Sequence, residues 1–194
     1  MNRHLVVFAR APALGRVKSR LAAGIGAGAA LAFYRRTLAA VLRRVGRDRR
    51  WRTTLAITPD RATNPRLWPL KLPRLPQGQG DLGRRMARVF RTWPRGPVIL
   101  IGADIPEITA THIIRAFRAL GSADAVFGPA RDGGYWLVGL RRGPALPGIF
   151  RDVRWSTRHA LADTLANLEG RRVARIDRLD DIDDAAAWRR WRGD

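Results

Sequence analysis

The sequence predicts a single-domain α/β fold in which a largely parallel sheet is covered by helices on both faces. Three observations carry that prediction. Short apolar runs bounded by Gly, Pro or Asp alternate with longer segments whose apolar residues recur at helical spacing, the pattern of a sheet layered between helices. The most apolar run, Val98-Ile99-Leu100-Ile101, shows no polar alternation, as suits a strand buried on both faces. No linker, repeat or low-complexity tract divides the 194 residues, so one domain spanning 1–194 is expected, long enough to bury about 70% of its unfolded surface.

The elements follow in order. Leu5 to Ala9 is short, apolar and followed by Pro12 and Gly15, which predicts a buried first strand. Leu31, Tyr34, Leu38, Val41, Leu42 and Val45 share one face of a helix over about 28–45. Thr53 to Thr58 is a second strand, ended by Pro59-Asp60. Leu82, Met86, Val89, Phe90 and Trp93 mark a helix, with Asp81 placed to cap it. After the 98–101 strand, Thr109 caps a helix carrying Ile113, Ile114, Phe117 and Leu120. Residues 125–127 and 135–140 are two strands too close together for a helix between them, so a mixed section of sheet is expected. Ser156 or Thr157 is expected to cap a helix with Leu161, Leu165 and Leu168, and 171–176 to form a late strand before a terminal helix over 184–191.

Composition narrows the function. Cysteine is absent, which excludes a disulfide scaffold and thiolate metal sites and fits the cytoplasm. The run Leu5–Ala9 is too short for a secretory h-region, and nothing approaches the roughly 20 apolar residues of a spanning helix. A soluble, cytoplasmic protein is expected, with peripheral contact to an anionic membrane left open. The net charge is +21, and only Lys18 and Lys71 among the 37 cations are lysine. Such a positive field attracts polyanions. Its arginines are dispersed along the chain without zinc-finger spacing, basic heptads or an RRM motif. Nucleic acid therefore ranks below a phosphorylated substrate and an anionic membrane.

In open α/β sheets, ligands bind outside the carboxyl ends of the strands, which selects loops 10–20, 58–64, 102–107 and 129–134. The first loop, after Ala9, holds Arg10, Arg16, Lys18 and Arg20 with Gly15 and no acid. Guanidinium forks and a lysine point charge suit a diphosphate; a solvated basic turn is the competing reading. No glycine directly precedes Lys18 and no G-x-G-x-x-G follows the strand, so neither a Walker loop nor a dinucleotide fingerprint is present. Lys18 is expected on an exposed loop with its ammonium free for phosphate. Asp104, beside Gly102 at the end of the central strand, is either a divalent-cation ligand or a turn aspartate. Asp132 in Arg131-Asp132-Gly133-Gly134 is a candidate base, metal ligand or sugar-hydroxyl acceptor, in a segment that also makes a good tight turn. Gln79 and Asp81 open a helix whose amino terminus suits an anion. Trp155-Ser156-Thr157 reads as staple and cap first, substrate contact second. The acids at 177, 180, 181, 183 and 184 read as a solvated turn and cap, and the three histidines lack metal spacing.

Taken together, FARAPALGRVKSRL (8–21), QGQGDLGRRM (77–86), IGADIPEI (101–108), GPARDGGYWLVGL (128–140) and WST (155–157) resemble a bacterial glycosyltransferase-like family. It is the family often labelled radical-SAM/selenodomain-associated transferase. It lies within the nucleotide-diphospho-sugar transferase superfamily, whose members include guanylyltransferases of molybdenum-cofactor and phospholactate pathways. The match runs from about Leu5 to Leu168. The resemblance implies a GT-A-like fold, a Rossmann-like three-layer α/β/α sandwich with a mixed, mainly parallel sheet. It implies diphosphate contacts from Lys18 and Arg20, with Mg²⁺ or Mn²⁺ on Asp104; the loop positions add Ala9, Arg10, Gly15, Gln79, Asp81 and Gly102 as expected nucleotide contacts. Asp132, Gly133, Gly134, Trp155, Ser156 and Thr157 fall on the sugar or acceptor side. Two features depart from the superfamily: Gly102 stands where an Asp-x-Asp pair has its first acid, and the first loop lacks Gly-Gly-x-Gly.

The sequence thus favours a transferase that takes a nucleotide-diphospho-sugar and glycosylates an acceptor it does not identify. A nucleotidyltransferase acting on an NTP and a phosphorylated small molecule is the second reading. A non-enzymatic basic protein holding nucleic acid or anionic lipid is the third.

Overall fold

The computed structural model describes residues 3–93, 96–141 and 148–193. One sheet contains β1 (His4–Arg10), β2 (Arg52–Thr58), β3 (Arg74–Pro76), β4 (Val98–Gly102), β5 (Ala125–Pro129), β6 (Tyr135–Leu140) and β7 (Val173–Arg175). Their order is β3-β2-β1-β4-β6-β5-β7. All neighbours pair in parallel except β6, which runs antiparallel to both β4 and β5. The fold is the Rossmann-like three-layer sandwich with a mixed, mainly parallel sheet.

Alternation along the strands builds two cores. Leu5, Val7 and Ala9 face one side, packing with Tyr34, Leu38, Val41 and Leu42 of α2 (Ala27–Val45) and with Ile113 and Phe117 of α4 (Ala110–Ala119). Val6, Leu100 and Val138 face the other, against Met86, Val89 and Phe90 of α3 (Leu82–Thr92) and the flank of α5 (Ala160–Ala166). Each fully buried aliphatic or aromatic side chain contributes about 1.5–3 kcal/mol relative to exposure. A third, small cluster joins α1 (Ser19–Ile25), α2 and α6 (Ala185–Arg192) through Leu21, Phe33 and Ile182.

Caps decide where several helices begin. Asp81 Oδ1 accepts from Arg84 N at 2.7 Å, and Asp184 Oδ1 from Ala187 N at 2.7 Å. At α4 the His112 ring Nδ1 accepts the Thr109 N–H at 3.1 Å. The expected cap on α5 is corrected. The helix starts at Ala160, past Ser156 and Thr157, and His159 at its cap position makes no side-chain cap bond. Ser156 has φ 60, while the Thr157 hydroxyl donates to Arg154 O and accepts from His159 N. These residues form a turn that holds Trp155 rather than a helix start.

After β7 the chain does not remain at the sheet edge. Leu179 N donates to Pro129 O, Arg131 N to Asp180 Oδ1, and Ile182 packs on Leu21. Residues 177–184 thus pass across the carboxyl ends of β5 and β4 before α6.

Candidate functional site

The strand order reverses between β1 and β4, so their carboxyl ends open a crevice where such sheets bind ligands. A cleft of about 270 Å³ lies there, lined from β1 by Phe8, from β4 by Gly102, from the loop after β4 by Asp104, and from the β5–β6 turn by Asp132 and Gly134. Trp155, Ser156 and Thr157 line it from the far side, and Asp181 from the crossing segment. The expected loops after β1, β4 and β5 do converge on one end of the sheet.

The first loop is anchored from beneath. The buried Tyr34 hydroxyl accepts from Arg10 N at 2.9 Å and donates to Arg10 O at 2.8 Å; burial pushes this phenol far above its ordinary pKa. Arg10 is exposed and its guanidinium donates to Arg16 O at 3.2 Å. Gly15 turns the loop at φ 68, a conformation that suits glycine.

Lys18 overturns its sequence expectation. It is not free on an exposed loop: its side chain is 4% exposed, with Nζ 2.8 Å from Asp104 Oδ2 and 3.5 Å from Asp183 Oδ1. Its backbone is left-handed, φ 49 and ψ 50, at the start of α1. That conformation costs a non-glycine residue roughly 1–2 kcal/mol and persists here because the ammonium is held inside. Burial pulls the ammonium pKa down, yet Asp104, Asp181 and Asp183 together leave it above its ordinary value. Arg20 is exposed and meets Asp183 at 3.4 Å.

The acids around Lys18 outnumber it. Burial pushes Asp181 up to a pKa of about 6, Lys18 opposes the shift, and the charges of Asp104, Asp183 and Asp132 reinforce it. Sequence pattern alone predicts Asp181 and Asp183 as solvated turn residues; the crossing segment instead carries them into the site. Asp177 and Asp180 do behave as surface acids, paired with Arg115 and Arg131. Asp132 is exposed, lines the cleft, and its Oδ1 accepts from Gly134 N at 2.8 Å.

Other expected residues lie at the margin. Ala9 is buried in the α2-side core at 2% exposure, so only its backbone borders the site. Gln79 and Asp81 are exposed at the start of α3, outside the cleft lining. Gly133 does not line the cleft either: at φ 85, a Cβ there would stand 2.2 Å from Arg158 O. Its role is to let the turn approach that backbone. Beside this margin, Gln77 is 3% exposed; its amide donates to Ala56 O at 2.8 Å and accepts from Arg85 at 3.0 Å. Burial, and then the charge of Arg10, lower the pKa of Arg85. Arg10 and Arg85 therefore form a cationic edge that sequence spacing did not connect.

Among the described residues, no three His, Cys, Asp or Glu side chains form a ready metal shell. The donor chemistry nevertheless fits a cation, because one ammonium already sits between Asp104 and Asp183. A divalent ion would need water or ligand oxygens to complete six-fold coordination.

The chain belongs to the DUF2064 family, described as an uncharacterized protein conserved in bacteria, whose model matches residues 41–157. It is similar to a candidate nucleotide-diphospho-sugar transferase from Desulfovibrio desulfuricans G20, with TM-score 0.87, 27% identity, and coverage of 95% of this chain and 84% of that one. It also resembles 4-diphosphocytidyl-2C-methyl-D-erythritol synthase from Anaerococcus prevotii DSM 20548: TM-score 0.61, 12% identity, 96% and 94% covered. A third likeness is to CMP:2-keto-3-deoxy-manno-octonic acid synthetase in complex with CTP: TM-score 0.55, 12% identity, 100% and 98% covered. The latter two show a shared fold. No curated protein matches the sequence significantly.

Proposed function

We propose that this member of the DUF2064 family is a transferase that takes a nucleotide-diphospho-sugar and moves the sugar to a small acceptor. The observation that carries the reading is the meeting of Asp104, held from behind by Lys18, with Asp132 in one cleft at the β1–β4 reversal. Likeness to the Desulfovibrio protein supports it.

In this reading the diphosphate lies over the first loop, where Arg10 and Arg20 are exposed and can fork onto phosphate oxygens. Negative charge grows on the departing nucleoside diphosphate, so fixed cations there lower the barrier more than they tighten substrate binding. Asp104, with Asp183 or Asp181, would hold Mg²⁺ or Mn²⁺. Such an ion would neutralise part of the leaving-group charge. Lys18 keeps these carboxylates aligned until a cation arrives. Asp132 is placed to accept the proton of the acceptor hydroxyl.

A nucleotidyltransferase is the second reading, favoured by the fold shared with cytidylyl-transferring enzymes. There an acceptor phosphate attacks the α-phosphate of an NTP and pyrophosphate leaves. Product analysis separates the two: nucleoside diphosphate from a nucleotide-sugar supports the first, pyrophosphate from an NTP the second. Binding is tested by thermal shift. A nucleoside diphosphate at about 100 times its Kd adds about 2.7 kcal/mol, and a mononucleoside adds little. Equal shifts from both would remove the phosphate-directed reading. Polyanion or anionic-vesicle binding that outcompetes nucleotide would favour a basic adaptor instead. Among the described residues, no helix is long and apolar enough to cross a membrane.

A further inference from the structure

We propose that the apolar half of the cleft is the acceptor subsite, and that the acceptor is an alcohol carried on a ring-sized apolar body. This deepens the transferase reading and rests on it. The floor is core packing immediately beneath the cleft, with Leu100, Val138 and Met86 at most 5% exposed. Leu100 of β4 and Val138 of β6 are register partners, with Met86 of α3 beside them, and all three line the cleft. Phe8 of β1 pairs with Gly102, where the missing side chain uncovers the sheet in front of Asp104. A Cβ at 102 would stand 3.0 Å from Asp104 Oδ1.

The walls offer rings and few polar atoms. Phe8, Tyr135 and Trp155 are half-buried and line the cleft. The Tyr135 hydroxyl is directed to Thr164 Oγ1 at 3.4 Å, so the cleft receives its ring. Trp136 Nε1 donates to Asp177 O at 3.0 Å and the Thr157 hydroxyl to Arg154 O, so both donors are already used. The carboxylates come from loops at the rim: Asp104, Asp132 and Asp181.

Charge decides against a phosphorylated acceptor. The chain has 37 cations, yet among the described residues no lysine or arginine lines this cleft. A phosphate seated on the apolar side would find no cationic side chain to pair with, because the one nearby ammonium, Lys18, is already taken up by Asp104 and Asp183. A free sugar would leave hydroxyls unpaired against the half-buried Phe8, Leu82, Tyr135 and Trp155, a penalty an apolar body avoids. An apolar ring gains from the same surface. The volume of about 270 Å³ exceeds the roughly 150 Å³ that holds one benzene, so a two-ring body fits.

The step balances. The acceptor oxygen attacks C1 of the donor sugar, forming the C–O bond. The bond from C1 to the diphosphate breaks, and its electron pair leaves with the nucleoside diphosphate. The hydroxyl proton goes to Asp132.

The chain has two methionines, Met1 and Met86, so ¹³C-methyl-methionine labelling places a probe on the cleft floor. Titration of the intact protein with 2-naphthol should shift the Met86 methyl resonance by ring current and saturate in the sub-millimolar range. Glycerol 3-phosphate should leave that resonance in place. The half-buried lining residue Leu82 supplies the variant arm: Leu82→Gln should weaken 2-naphthol binding at least ten-fold. If that variant does not fold, the methyl titration of the natural chain decides alone. A Met86 signal that moves with glycerol 3-phosphate, or with neither probe, overturns the proposal, as does undiminished binding by a folded Leu82→Gln. A UDP and GDP titration of the same sample reads the transferase proposal separately: failure to bind either sinks that proposal whatever 2-naphthol does.

Discussion

Replacing Lys18 by methionine keeps most of the buried stem and removes only the ammonium. Breaking a buried ion pair by removing one partner costs about 3–5 kcal/mol. Here Asp104 and Asp183 are 35% and 41% exposed, so water screens part of the stranded charge, and a loss of about 1–3 kcal/mol at pH 7 is expected. For a domain of this size that is roughly 2–4 °C in Tm per kcal/mol. The sign with pH follows from the raised ammonium pKa. A base held above its ordinary value of 10.5 stabilises the fold fully below that value, and the contribution fades as pH climbs through the higher folded pKa. Wild type and Lys18→Met should therefore differ fully near neutrality and converge in strong alkali. They should also converge in acid as the facing carboxylates protonate, beginning near pH 6 with Asp181. Urea unfolding at several pH values measures the gap. Manganese titration followed by electron paramagnetic resonance supplies the second readout, because removing the ammonium vacates a cation position between carboxylates. The variant should bind Mn²⁺ at least ten-fold tighter than the parent. Unchanged stability together with unchanged Mn²⁺ affinity would refute the placement of Lys18 as an internal counter-ion.

Asp104→Asn should lose about 1–3 kcal/mol of stability, because the buried Lys18 ammonium forfeits its 2.8 Å partner, and should lose any Mg²⁺- or Mn²⁺-dependent gain in nucleotide binding, measured by calorimetry with and without the ion; an unchanged metal response would remove Asp104 from the ligand set. Gly133→Ala should destabilise by about 2–4 kcal/mol, since its Cβ meets backbone at 2.2 Å with φ at 85, and a variant as stable as the parent in urea would contradict that contact. Asp181→Asn should raise stability by on the order of 1 kcal/mol at pH 7 in metal-free buffer. An acid lifted from 3.8 to about 6 opposes folding once the unfolded carboxyl ionises, so the gain should vanish below about pH 4. A gain that persists there would assign it to something other than charge.

The strands and helices that form the two cores were legible because burial writes a period into sequence. Val98–Ile101 and Leu31–Val45 could be little else. Elements defined by their partners were not. β3 spans three residues bordered by Pro73 and ending on Pro76, and exists because β2 offers it an edge. α1 has seven residues and buries only Leu21, too few to show a helical stripe. In the site, composition located the loops but misjudged their charges. Lys18 sits in a stretch that looks solvent-facing, and its burial depends on acids 86 and 165 positions away. Asp181 and Asp183 belong to an acid-rich run that normally signals a wet turn. Only the return of the chain across β5 and β4 brings them to Lys18, and that path follows from sheet order rather than local pattern.

That return path also changes what the net charge means. A formal +21 suggests that any anion would be welcome at the site, yet the cleft itself presents Asp104, Asp132 and Asp181. The single buried lysine beside them is engaged at 2.8 Å. The long-range field can raise the encounter rate for a nucleotide, while the contact surface repels its phosphates unless a cation arrives with them. In the proposed reading the dispersed arginines steer the nucleotide, Arg10 and Arg20 of the first loop hold its diphosphate, and the acid cluster sets its need for a counter-ion. Salt should accordingly slow association without abolishing metal-dependent affinity, because charges exposed beyond about 8–10 Å are screened at physiological ionic strength while partly buried pairs are screened much less. Stopped-flow association of a nucleoside diphosphate at 50 and 300 mM salt, with Mn²⁺ constant, separates the two. A dissociation rate that rises as steeply as the association rate falls would show that the dispersed arginines seat the nucleotide as well as attract it.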